Sequence, residues 1–67
     1  MTRANRAFEL RTTRDTVEVV EIASGEVVLF WDTPPDRTRR LARALRSDLA
    51  GLEAEPFLER WRAFQPS

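Results

Sequence analysis

The chain has no cysteine, histidine, tyrosine or lysine, and only two of its 67 residues are glycine. Each absence excludes something. Without cysteine, no disulfide holds the fold together. Without cysteine and histidine, the commonest zinc ligands are missing and no structural metal is expected. General acid–base chemistry falls to Asp and Glu alone, and no serine has a histidine to activate it. Gly25 and Gly51 are too few for a glycine-rich phosphate loop. No dense Asp/Asn loop offers oxygen ligands to a hard cation. The expectation is a protein that is not an enzyme, with no cofactor and no evident small-molecule substrate.

Long apolar runs are also missing, so no segment reads as a membrane span. Met1-Thr2-Arg3-Ala4-Asn5-Arg6 is not followed by the apolar stretch of a signal peptide, and a cytoplasmic location is the default expectation.

What is present is a balance of 11 Arg against 11 acidic residues, giving a net charge of zero. A hydrophobic fraction of 42% beside 33% charge fits a folded chain rather than a disordered one. The length implies one domain, and a domain this small buries only about 60% of its unfolded surface. Small folds gain support from disulfides, metals or association. Association is the aid that remains.

Residues 1–6 are polar and basic and read as a disordered N-terminal arm, followed by a single domain over 7–65. Phe8–Thr13 alternates apolar and polar residues, the pattern of a half-buried strand. Arg14-Asp15 suits a turn. Thr16–Ile22 is rich in β-branched residues and reads as a second strand. Ala23-Ser24-Gly25 supplies turn chemistry, and Glu26–Trp31 reads as a third strand. Connections this short favour an antiparallel meander, because parallel strands need crossovers of a dozen residues or more.

Thr33-Pro34-Pro35-Asp36 reads as a helix start, with Thr33 as N-cap, Pro34 in the first helical position and Asp36 completing a capping box. The helix is expected to run to about Ala50, with Gly51 as its C-cap. Leu41, Leu45, Leu49 and Leu52 share one sector with Ala44 at its border, while Arg39, Arg43 and Arg46 stand opposite. Asp48 falls among the leucines, which calls either for an Arg partner from the sheet or the tail or for a helix that ends near Ser47. Glu55-Pro56 opens a short second helix, with Phe57, Trp61 and Phe64 at i, i+4, i+7 spacing and Leu58 alongside. So short a helix needs something to dock on. The fold class is α+β: a three-stranded antiparallel β-meander, an amphipathic α-helix and a short C-terminal helix, in the order βββαα.

Strands two and three pose a burial problem. Val17 and Val19 share one face, Val20 and Ile22 the other; Val27, Leu29 and Trp31 share one face, Val28 and Phe30 the other. A sheet with one wet face alternates more cleanly. Either the chain closes both faces itself, with a β-bulge near Val19-Val20 resetting the phase, or a second chain covers one of them. The interface candidates are Val20, Ile22, Val28, Phe30, Phe57, Trp61 and Phe64. A two-fold homodimer is the commonest solution.

Arg37, Arg39, Arg40, Arg43 and Arg46 make the segment 36–46 strongly basic, with only Asp36 opposing them, while residues 17–32 carry four acids and no Arg. Arg39, Arg43 and Arg46 form a candidate patch for an anionic partner. A nucleic-acid binder carries a larger basic excess, and no helix precedes this one to make a helix-turn-helix pair. The leading expectation is a non-catalytic protein–protein interaction module, self-associating as a dimer or accessory to a larger protein. The alternative is a small nucleic-acid-binding regulator using the Arg-rich helix 37–46, and a weaker one is an antitoxin-like inhibitor of a partner enzyme.

Overall fold

A computed structural model describes residues 2–65. A one-turn helix α1 (Ala4–Ala7) precedes β1 (Phe8–Thr12), β2 (Thr16–Glu21) and β3 (Val27–Asp32), and then α2 (Pro35–Gly51) and α3 (Ala54–Arg62). The three strands form one antiparallel sheet in the order β1-β2-β3, so the α+β meander with two following helices is the observed architecture. The β1–β2 turn closes through the Thr13 N–H donating to the Thr16 carbonyl at 2.9 Å. In the β2–β3 connection, Gly25 takes φ +75°, a conformation that costs glycine little, and its N–H donates to the Glu21 carbonyl at 2.8 Å.

Register determines what each face holds. Phe8 lies opposite Glu21, Leu10 opposite Val19 and Thr12 opposite Val17; across the other ladder, Val17 faces Trp31 and Val19 faces Leu29. The register then shifts, so that Val20 faces Val27 and Val28 is the extra residue on β3. An extra residue reverses the alternation beyond it. The bulge at Val19-Val20 considered from sequence is therefore present. It moves Val27 away from Leu29 and Trp31 and onto the face of Val20.

The inner face carries Phe8, Val17, Val19, Leu29 and Trp31, which join Leu45 and Leu49 of α2 and Phe57 and Trp61 of α3 in one core. Phe8 stacks on Phe57 with ring centroids 5.7 Å apart, and Trp31 meets Trp61 edge to face at 5.9 Å. Asp48 finds the expected partner from the tail. Its Oδ2 accepts from Trp61 Nε1 at 2.9 Å and lies 3.4 Å from Arg60 Nε. The centre of the α2 stripe is Thr38, Ala42, Leu45 and Leu49, with Leu41 and Leu52 half-buried at its margins.

Three local features differ from the sequence reading. The N-cap of α2 is Pro34, not Thr33, and Pro35 opens the helix. A residue before proline is disfavoured in the helical region, and Pro34 accordingly takes ψ 148°. Its carbonyl accepts the first-turn bond from Thr38 N–H at 3.0 Å and a second from the Thr38 hydroxyl at 3.1 Å. At the other end, Gly51 stays within the helix and Leu52 turns extended, so no left-handed glycine cap forms.

The extended Leu52-Glu53 stretch receives the N-terminal segment, which is folded rather than frayed over its described part. Ala4 N–H donates to the Leu52 carbonyl at 2.9 Å, Ala54 N–H to the Thr2 carbonyl at 2.8 Å, and Arg3 bridges Glu53. Ala4 is fully buried, wedged where α1 meets α2 and α3. Met1, the first residue of that segment, lies outside the described residues.

Candidate functional site

With the helices on the inner face, the outer face of the sheet is the first candidate surface. Same-face neighbours along β2 are Glu18, Val20 and, just beyond the strand, Ile22. Phe30 stands opposite Glu18, and Val27 opposite Val20. On the β1 side, Arg11 stands opposite Glu18 and Glu9 opposite Val20. The face is thus apolar along β3 and charged along β1. Ile22 is 55% exposed, Val27 49% and Phe30 44%. Large apolar side chains gathered in this way on a surface mark an interaction site more often than scattered ones do.

The residues nominated from sequence divide into two groups. Ile22, Phe30 and Phe64 are exposed, and Val28 is half-buried at the bulge. Val20, Phe57 and Trp61 are buried within the chain itself, the two aromatics in the main core. The i, i+4 pair of α3 docks inward, while Phe64 lies past the helix end. Strict alternation groups Val27 with Leu29 and Trp31, so the sequence does not nominate it, and the register shift brings it to this face. The consecutive Val19-Val20 pair was the available signal for the phase change.

The open edge of β3 is occupied at one point. The Gln65 side chain accepts from Phe30 N–H at 3.0 Å and donates to the Phe30 carbonyl at 2.7 Å. One carboxamide thus satisfies both main-chain groups that Phe30 turns away from β2. The neighbouring Phe64 carbonyl accepts from Trp31 Nε1 at 3.0 Å, which ties the tail to the same strand.

The second candidate surface is cationic. All five arginines of α2 are exposed, and four of them line two clefts. One, of about 330 Å³, lies between α2 and the β1–β2 turn; Arg39 and Arg46 line it from the helix and Arg14 from the turn, with Thr12, Thr13 and Thr38 between them. The other, of about 480 Å³, lies on the opposite flank beside Thr33, with Arg37, Arg40, Leu41 and Ala44. Arg43 lines neither. Of the sequence-nominated patch, Arg39 and Arg46 line the same cleft two helical turns apart, and Arg14 replaces Arg43 as the third arginine. Arg14 is 25 residues from Arg39 in sequence, so only the packing of the hairpin on α2 discloses it.

Among the described residues, no three His, Cys, Asp or Glu side chains gather to hold a metal ion. No helix among the described residues is long and apolar enough to cross a membrane. Comparison with family models, with curated proteins and with solved structures finds no match to this chain.

Proposed function

We propose that this protein is a non-catalytic interaction module that binds through the outer face of its sheet, with a second copy of itself as the occupant. The observation that carries the reading is the exposed trio Ile22, Val27 and Phe30 on the face opposite the one where, among the described residues, the helices build the core. Burying apolar surface is worth about 25 cal/mol per Å², and a fold of this size with neither disulfide nor metal stands to gain from it.

The charges on the face favour self-pairing. Glu9 and Arg11 of β1 and Glu18 of β2 lie to one side of the apolar residues and carry both signs, so a second copy related by a two-fold rotation meets no block of like charge. Such a rotation sets the apolar β3 side of each copy against the other and leaves the charged rows at the rim. The Arg-rich face of α2 stays outside that contact.

Light scattering on a sizing column tests the reading. The expected mass is twice the chain mass of 7.8 kDa, insensitive to salt because apolar contacts dominate. Phe30→Asp is expected to give a monomer with unchanged circular dichroism, since Phe30 is surface-exposed. A monomeric wild type, or a Phe30→Asp protein that remains dimeric, overturns the assignment of this face to a second copy.

A further inference from the structure

We infer that the cleft between α2 and the β1–β2 turn is an oxyanion site that takes a phosphoryl group, a role separate from the sheet face. Three arginines, Arg14, Arg39 and Arg46, are among the residues that line one recess of about 330 Å³, and none of the residues lining it is acidic. That size lies at the small end of the range for ligand sites.

The arginines are brought together without partners. Among the described residues, the only salt bridges join Arg11 to Glu9 and Arg60 to Asp48. The carboxylate nearest Arg14 in sequence, Asp15, is engaged by the Thr13 hydroxyl at 3.4 Å and lies outside the cleft lining. The chain has as many acids as arginines, so pairing was available and the fold does not use it here. Like charges around one recess repel one another, and a bound anion reverses the sign of that interaction.

The chemistry of the recess selects the anion. Guanidinium presents a planar fork of N–H donors that matches phosphate oxygens, and it keeps its charge at any physiological pH. The Thr38 hydroxyl is already engaged by the Pro34 and Thr33 carbonyls, which leaves Thr12 as the hydroxyl wall. Arg39 and Arg46 stand on a 17-residue helix and Arg14 on a tight turn, so their backbone positions around the recess are held by hydrogen-bonded elements. The opposite cleft is a weaker candidate, because its two arginines come from α2 alone and the rest of its helix lining is Leu41 and Ala44.

The probe is pyrophosphate, followed by NMR shift changes of backbone amides and Arg side-chain Nε–H groups. The expected result is saturable one-to-one binding with shifts confined to the β1–β2 turn and the stretch of α2 from Pro35 to Arg46. Arg39→Gln and Arg46→Gln are each expected to weaken it about tenfold, the loss of one charge-assisted contact, while Arg40→Gln leaves it unchanged. All are surface substitutions, and an unchanged urea midpoint confirms folding.

A parallel titration with a short DNA duplex identifies where the phosphate comes from. If the source is a nucleic-acid backbone, Arg40→Gln and Arg43→Gln also weaken duplex binding, and its salt slope grows by about 0.9 per phosphate contacted. If the source is a free phosphorylated molecule, pyrophosphate binds and the duplex does not compete. No saturable pyrophosphate shift, or equal weakening by Arg40→Gln, overturns the site.

Discussion

The two faces of the sheet are built from the same residue types and have opposite fates. β2 contributes Val17 and Val19 to the inner face and Val20 to the outer; β3 contributes Leu29 and Trp31 to one and Val27 and Phe30 to the other. Inside, aromatic rings from α3 and leucines from α2 close over the strands. Outside, Val20 is sheltered among its neighbours while Ile22, Val27 and Phe30 face solvent. Composition therefore does not separate core from surface in this chain. What separates them is which side the helices can reach, because α2 and α3 leave the sheet on one side and are tied together there through Asp48, Trp61 and Arg60.

That contrast is broken most severely at Phe57, which is 0% exposed and stacks on Phe8. Phe57→Ala is expected to cost about 3–5 kcal/mol, enough to leave a domain this small largely unfolded in a urea titration. A smaller effect belongs to the tie between the helices. Trp61→Phe keeps an aromatic ring in the core but removes the donor to Asp48, and a loss of about 1–2 kcal/mol is expected for the half-buried carboxylate left with Arg60 alone. Arg60→Ala, added to each background, measures how much of that loss the remaining ion pair absorbs. The smallest effect is expected outside. Ile22→Thr on the outer face is predicted to change monomer stability by no more than about 0.5 kcal/mol, while weakening association measured by light scattering. A large stability loss there would show that the outer face belongs to the core of the monomer.

Much of this arrangement can be read from the sequence. β-Branched runs and short turn segments place the three strands to within a residue or two, and the leucine spacing places α2. Asp48 stands out as a charge within an apolar stripe that needs a partner, and the fold supplies it from α3 rather than from the sheet. What local pattern does not carry is long-range. Thr33-Pro34-Pro35 satisfies the rules for a threonine cap, yet the second proline holds Pro34 extended and delays the helix by one residue. Residues 2–7 have no periodicity of their own, and their order comes from pairing with Leu52, Glu53 and Ala54. The aromatic spacing of α3 shows that it must dock, and the direction in which it docks is set by Phe8 and Trp31, far away in the chain. The cationic cleft is half legible: Arg39 and Arg46 share a helix flank, while Arg14 reaches them only after the hairpin packs on α2.

The Gln65 clip on Phe30 bears on solubility. An unpaired strand edge is a template for aggregation, and this one lies beside an exposed phenylalanine. A carboxamide is the side-chain group that reproduces both the donor and the acceptor of a peptide unit, so Gln65 acts as a one-residue imitation of a fourth strand. Deamidation to glutamate would replace its donor with a second acceptor facing the Phe30 carbonyl, and cleavage before it would remove the clip altogether. Either change would return the Phe30 main-chain N–H and carbonyl to solvent at the sheet edge.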